Sequence, residues 1–193
     1  MKSPILAMMV LGLVACTAKP MTIRVNPEPT NYAWWLRTDF YPHGLSFRSI
    51  PVREIDRTWC SIDELNKSIF PDPIEPDSSD WEPTSDRASY HSTIEIDGRP
   101  TPLALAIYRT CNGSTGTALV AFDQIGPRRY RLVASLPLVS PASWATIEKT
   151  SPSSVRIYSC FECDSFIDVA WNPQTRTLIE VPTDDDQAIT GGT

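Results

Sequence analysis

A pattern of apolar segments that occurs twice between residues 90 and 182 restricts the fold more than any other feature of the sequence. The matched segments are, in chain order, 93–95 with 146–148, 106–108 with 156–158, 118–122 with 166–171, and 131–133 with 178–181. Each segment is short and rich in β-branched or aromatic residues, which is typical of a strand. Each copy therefore predicts four short strands in an antiparallel meander, and the chain is expected to be mainly β.

The residues between these segments are those of tight turns. Asp97-Gly98 is a strong hairpin signal, and Gly126-Pro127 and Asn172-Pro173 follow the third strand of each copy. A four-stranded unit repeated about every 50 residues resembles a blade of a β-propeller. Two copies cannot close a propeller, and any antiparallel meander spaces its strands similarly, so a true repeat and a simple meander both stay open.

The sequence before residue 90 is less regular. The 18 prolines and 8 glycines favour short strands and stiff loops, and two strands are expected near residues 32–40 and 45–52. Ser61 and Glu64 have the spacing of a capping box, which predicts one short helix over residues 62–69. Residues 71–88 carry acidic residues and four prolines, which predicts an exposed irregular loop.

Two places in these loops and hairpins are candidates for binding a partner. Trp81 lies within the acidic loop, where it either packs back onto the domain or anchors a partner, since tryptophan is enriched at binding hot spots. Arg128, Arg129 and Arg131 flank Tyr130 on a predicted hairpin. They either face solvent as ordinary strand positions or form a basic spot for an anionic partner.

The N-terminal residues predict an exported protein. Lys2 precedes an apolar run over residues 5–15, which is typical of a secretory signal and far shorter than the roughly 20 residues of a membrane span. Leu13-Val14-Ala15-Cys16 resembles the lipobox of bacterial lipoproteins. An uncleaved anchor, or a secretory signal in which Cys16 is incidental, are the alternatives.

The resemblance to lipoproteins implies cleavage between Ala15 and Cys16 and a lipid anchor on Cys16. Thr17, rather than aspartate, follows Cys16, which in a Gram-negative cell implies the outer membrane, facing the periplasm. The expected organisation is a signal peptide (1–15), an acylated cysteine with a flexible tether (16–30), one β-rich domain (31–182) and a disordered acidic tail (183–193).

Four cysteines remain once Cys16 carries lipid. An even number in an oxidising compartment predicts two disulfides. Cys160 and Cys163 form a CxxC pair between predicted strands rather than at a helix N-terminus, so a structural disulfide is favoured over a redox centre. Cys60 is then paired with Cys111 by elimination. A zinc site built from all four cysteines is the alternative.

The sequence offers little support for catalysis or for nucleic-acid binding. The net charge of −6 argues against nucleic acid. No nucleophile elbow, phosphate-binding loop, dinucleotide fingerprint or zinc-protease motif is present, so no cofactor or metal is expected. His43 and His91 are the two histidines; His91 falls on the polar side of a strand pattern, where an exposed position is expected.

These observations favour a lipid-anchored, non-enzymatic protein that binds a protein partner in the periplasm. An inhibitor or immunity protein against a toxin or hydrolase is the most concrete form, and the general plan is similar to periplasmic lysozyme inhibitors and immunity lipoproteins. A structural or accessory subunit of an envelope assembly is the alternative, and an envelope hydrolase is a third hypothesis.

Overall fold

The computed structural model describes residues 21–25, 38–70, 83, 88–139, 141–160 and 165–182. In chain order the strands are β1 (Thr22–Val25), β2 (Thr38–Tyr41), β3 (Ser46–Phe47), β4 (Ile50–Pro51), β5 (Trp59–Glu64), β6 (His91–Ile96), β7 (Arg99–Thr110), β8 (Thr115–Gly126), β9 (Arg129–Val139), β10 (Thr146–Ser151), β11 (Ser154–Cys160), β12 (Ser165–Asn172) and β13 (Thr177–Val181). A one-turn helix, α1 (Val52–Ile55), follows β4, and a 3₁₀ helix (Lys67–Ile69) follows β5. The expectation of a mainly β fold is confirmed.

Two antiparallel meanders form the body of the domain. The strands β6, β7, β8 and β9 pair in sequence, as do β10, β11, β12 and β13. The eight segments matched in the sequence lie on these eight strands in the expected order, so each copy is a four-stranded unit. The first unit gains a fifth strand, because β5 pairs with the half of β7 near Thr110 while β6 pairs with the half near Arg99.

The two units pack through equivalent faces. Ile94 and Ile147, which occupy matched positions in the two copies, are both buried in one core between the sheets, as are Ile107 and Ile157. Blades arranged around a propeller axis would instead place the front of one sheet against the back of the next. The two repeats therefore form a sandwich with a shared core rather than consecutive blades of a propeller.

The opposite face of the five-stranded sheet is also buried. Residues 103–108 of β7 and 116–122 of β8 are buried without interruption, which is the pattern of strands covered on both faces. The covering layer comes from the N-terminal part of the domain and consists of Phe47, Ile50, Val52, Ile55 and Trp59. The Trp59 ring stacks on Tyr108 with centroids 4.0 Å apart.

The predicted strand over residues 45–52 is wrong, because this segment is a tight hairpin. Arg48 and Ser49 both adopt left-handed backbone conformations, with φ of 47° and 73°, between β3 and β4. Two successive left-handed residues make the turn whose twist matches a two-residue hairpin. Neither residue type signals such a turn, which is why the sequence pattern did not reveal it. For the predicted strand over 32–40, the structure describes only residues 38–40, which lie in β2.

The predicted helix over residues 62–69 is correct only at Lys67–Ile69. Residues 61–64 belong to β5, so Ser61 and Glu64 do not form a capping box. The Ser61 hydroxyl donates to the carbonyl of Pro42 at 2.9 Å, and the helical turn begins at Asn66, whose side chain accepts from Ser68 N. Pairing of β5 with β7 outweighs the local capping signal.

Part of the segment expected to be a tether is ordered strand. Thr22–Val25 forms β1 and pairs with Thr38–Tyr41, and Met21 is buried in the shared core. The lipobox with Cys16, the loop residue Trp81, Cys163 and the tail over 183–193 lie outside the described residues. Of the 71–88 loop, Pro83 and Ala88 are described; both are buried, and the Pro83 carbonyl accepts from the Tyr90 hydroxyl at 2.7 Å.

The predicted pairing of Cys60 with Cys111 is confirmed. The disulfide joins the start of β5 to the β7–β8 turn, with Cα atoms 4.9 Å apart. This pairing is incompatible with the alternative zinc site, since two of its four thiols are not available as ligands. We call this end of the sheet the disulfide end. No helix in the described part of the chain has the length and apolar character needed to cross a membrane.

Substituting Gly116 tests the packing of the covering layer. A Cβ added to Gly116 would overlap the hydroxyl and ring of Tyr108, which is held in the stack with Trp59. We expect Gly116→Ala to lower the free energy of unfolding by about 1–3 kcal/mol, as overpacked cores do. Urea denaturation measures this change.

Gly126→Ala is the matched control, because Gly126 ends the same strand and an added Cβ would meet Arg129 only at ordinary contact distance, 3.9 Å. Equal stabilities of the two variants would contradict the packing described for Tyr108.

Candidate functional site

Hairpin turns of both sheets lie at the end of the domain opposite the disulfide, and three of them carry the charged residues of the candidate site. Asp97-Gly98 joins β6 to β7, Pro127-Arg128 joins β8 to β9, and residues 173–176 join β12 to β13. Trp171 donates its indole N–H to Asp97 Oδ1 at 3.2 Å, and Arg176 Nη2 lies 3.6 Å from Asp97 Oδ2. These contacts hold a turn of one sheet against a turn of the other.

Arginines are concentrated at this end, which we call the arginine end. It carries Arg99, Arg128, Arg129, Arg131 and Arg176. Arg131 Nη2 pairs with Asp123 Oδ2 at 2.5 Å, and Arg176 pairs with Asp97. Within the described part of the chain, no carboxylate pairs with the other three arginines. A protein with a net charge of −6 thus presents a locally positive surface.

A groove of about 310 Å³ opens between the sheets at the arginine end. The charged and aromatic residues that line it are Asp97, Arg99, Asp123, Arg131, Trp171 and Arg176. Ile96 and Val133 supply apolar surface in the same groove. The groove is therefore a mixed site, with guanidinium donors, two carboxylate acceptors and an apolar wall.

Arg128 and Arg176 have the same unusual backbone conformation. Each lies in the last hairpin turn of its repeat, 48 positions apart (176 − 128), and each has φ of 56°. A long side chain in this left-handed region costs on the order of 1 kcal/mol relative to glycine, and asparagine is tolerated well. Both turns thus carry an arginine where the backbone favours glycine or asparagine.

Arg128, Arg129 and Tyr130, the candidate binding residues of the predicted hairpin, have different environments. Arg128 and Arg129 are exposed at the arginine end, as a basic spot requires. Tyr130 is partly buried, with its ring edge-on to Phe122 at 5.7 Å and its backbone N–H donating to Ser49 Oγ at 3.2 Å. Tyr130 therefore packs with the covering layer, on the side of β9 opposite the groove.

Comparisons with protein-family models, with curated proteins and with solved structures gave no significant match.

Arg48, Glu64 and His91 form a second cluster of charged side chains. The Arg48 guanidinium donates to both carboxylate oxygens of Glu64, at 2.7 and 2.5 Å, and His91 Nε2 also contacts Glu64 Oε1. Arg48 lies over the Phe122 ring, 4.7 Å from its centroid. The cluster ties the β3–β4 turn to β5 and β6, which gives it a structural role in attaching the covering layer.

Burial and hydrogen bonding act on Glu64 in opposite directions. Burial raises the pKa of the Glu64 carboxyl, but hydrogen bonds from His91 and Arg48 outweigh it and hold the pKa below its ordinary value. The same hydrogen bond to Glu64 raises the pKa of Arg48. The folded state therefore favours the ionised carboxylate.

The two histidines occupy separate places and have different partners. His91 is exposed on β6, as predicted, and its ring contacts Glu64 and Arg48. His43 Nε2 lies 3.1 Å from Thr22 Oγ1, while Asp63 accepts from the backbone N–H of His43 rather than from its ring. The described residues bring together no nucleophile, imidazole and carboxylate in one hydrogen-bonded series. They also contain no group of three or more side chains that could hold a metal ion.

Sequence reasoning missed Arg99, Trp171 and Arg176 as site residues. The turns beside them were recognised from Asp97-Gly98 and Asn172-Pro173. The missing step was to compare matched turns of the two copies, since an arginine recurs at 128 and 176. That comparison would have singled out Arg176, together with Arg128, as a candidate binding residue.

Replacing Glu64 tests the charged cluster. Because the pKa of Glu64 is depressed in the folded state, its stabilisation is fully present above the unfolded-state value of about 4.3 and is lost as the pH falls through the folded-state value. We expect Glu64→Gln to lower the free energy of unfolding at pH 7 by about 1–3 kcal/mol, since it leaves Arg48 without its charged partner.

The same variant should lose less stability than the native chain when the pH falls below about 4. Glu95→Gln is the control, because Glu95 is exposed on β6. Denaturation curves at several pH values measure both effects, and parallel pH profiles for the native chain and Glu64→Gln would contradict the assignment.

Proposed function

We propose that the chain is a lipid-anchored periplasmic lipoprotein whose β domain binds a protein partner without catalysing a reaction. The observation that carries the binding role is the arginine end, where turns from both sheets form one positive surface on an acidic protein. Arginine is enriched at binding hot spots, and complementary charge steers association. An inhibitor or immunity protein is the most concrete form of this function.

The lipobox residues support the anchor, and the position of β1 limits how far the domain can lie from it. Only six residue steps separate Cys16 from Thr22, where β1 begins. Six extended residues span at most about 20–22 Å. A lipid on Cys16 would therefore hold the domain close to the outer membrane, with little freedom to move away.

The distribution of exposed apolar residues favours a separable partner over a permanent assembly. The large exposed apolar side chains are Tyr41, Leu45, Ile125, Ile179 and Val181. Only Ile179 and Val181 share a strand, so the described residues show no broad apolar face of the kind that permanent interfaces bury. The alternative, a subunit of an envelope assembly, would need such a face.

Lipid attachment is tested by replacing Cys16 with serine. We expect the native chain to incorporate labelled palmitate and to sediment with outer membranes, because acyl chains contribute about 0.8 kcal/mol per buried CH₂ group. The Cys16→Ser chain should incorporate no label. Equal labelling of the two chains, or no labelling of either, would refute the anchor.

Partner binding is tested by affinity capture from envelope extracts with the chain from Thr17 onward, which contains every described residue. The comparison variant combines Arg128→Asn, Arg129→Gln and Arg176→Asn, and Arg57→Asn is a charge control at the disulfide end. We expect a partner held by the native chain and the control, but released from the triple variant and at high salt.

Addition of the purified domain to that partner then distinguishes the two forms of the function. Loss of the partner's activity supports inhibition, whereas a stable complex with unchanged activity supports an assembly. Retention of the same proteins by the triple variant would remove the arginine end as the binding surface.

A further inference from the structure

The groove between Arg99, Trp171 and Arg176 has a composition that selects one kind of ligand. We propose that it binds an extended segment of the partner protein that combines carboxylates with an apolar side chain. The inference deepens the proposed function, since it assigns the partner's chemistry to a defined place. It depends on the contacts within the groove rather than on the positive charge of the whole end.

The three arginines of the groove differ in whether a carboxylate pairs with them. Arg131 and Arg176 are each paired with an aspartate, whereas Arg99 has no carboxylate partner within the described part of the chain. The Arg176 side chain is 77% exposed, and its pairing distance of 3.6 Å is longer than a direct charge-assisted hydrogen bond. Arg99 and Arg176 are therefore the two groups available to bind incoming carboxylates.

The aspartates in the groove disfavour a compact anion. Asp97 and Asp123 lie among the arginines, so the groove has three positive and two negative side chains. A small, multiply charged anion such as phosphate would meet these carboxylates at close range. An extended peptide has backbone N–H donors for the aspartates as well as carboxylates for the arginines, so it matches both signs.

The apolar wall provides the second requirement. Ile96 and Val133 line the same groove as the charged residues. Trp171 is fixed at its edge by the hydrogen bond from its indole N–H to Asp97. An apolar side chain of the ligand would bury this surface at about 25 cal/mol per Å² of apolar area. Carboxylates alone would leave it exposed.

The test uses a synthetic nonapeptide with three aspartate-aspartate-leucine repeats, added to the ¹⁵N-labelled chain from Thr17 onward. The readout is the indole N–H signal of Trp171, identified among the six tryptophans by its loss in Trp171→Phe. Peptides with serine in place of leucine, or asparagine in place of aspartate, are the controls, together with inorganic phosphate. The binding variants are Arg99→Gln and Arg176→Asn, and Arg57→Asn is the charge control.

We expect the leucine-containing acidic peptide to shift the Trp171 signal and each groove variant to weaken its binding at least about threefold, with no effect of Arg57→Asn. Arg176→Asn places a residue tolerant of left-handed conformations at φ of 56°, so its unfolding curve should show no loss of stability.

Binding of the serine peptide as tightly as the leucine peptide, or a stronger response to phosphate, would overturn the inference. So would equal peptide binding by native and groove-variant chains. A partner that is still captured by the native chain but lost from a double variant with Arg128→Asn and Arg129→Gln would then leave the proposed function intact. Peptide binding without any captured partner would support the groove and contradict the function.

Discussion

Burial of β7 and β8 on both faces is the constraint on which the rest of the domain depends. One face packs against the second meander, and the other lies beneath the covering layer of residues 47–59. Because apolar burial is the main favourable term in folding, neither layer can be lost without exposing the central sheet. The second meander and the covering layer, which are distant in the chain, therefore pack on opposite faces of the same two strands.

This layering separates the two ends of the domain. Consecutive turns of an antiparallel meander alternate between ends, so the β6–β7 and β8–β9 turns lie together and the β7–β8 turn lies opposite them. The Cys60–Cys111 disulfide closes the latter end, where it ties the covering layer to the central sheet. The arginine end is free of that constraint and presents its turns to solvent. Because the disulfide and the arginine turns lie at opposite ends, the cross-link stabilises the fold without covering the charged surface.

The sequence predicted the body of the fold because apolar segments of strand character recur in the same order in both units. The eight strands of the two meanders lie where the repeated segments predicted them. The Cys60–Cys111 disulfide was predicted by elimination, after Cys160 was paired with Cys163. The hairpin at Arg48-Ser49 did not follow, because its turn uses residues that seldom adopt left-handed conformations. The strand at Ser61–Glu64 was missed for another reason: long-range pairing with β7 overrode a local capping signal.

The candidate site was only partly predictable, because its residues come from three turns that are distant in the chain. Arg128 and Arg129 were visible as a local cluster, but their relation to Arg176 depends on two sheets packing through equivalent faces. Had the units packed front to back, as propeller blades do, the β6–β7 turn of one unit would not have met the β12–β13 turn of the other around Trp171. The packing of the two units through equivalent faces, which gives them one core, also brings Asp97 against Trp171 and Arg176. The groove is therefore a consequence of how the repeats pack, which explains why neither repeat contains the site by itself.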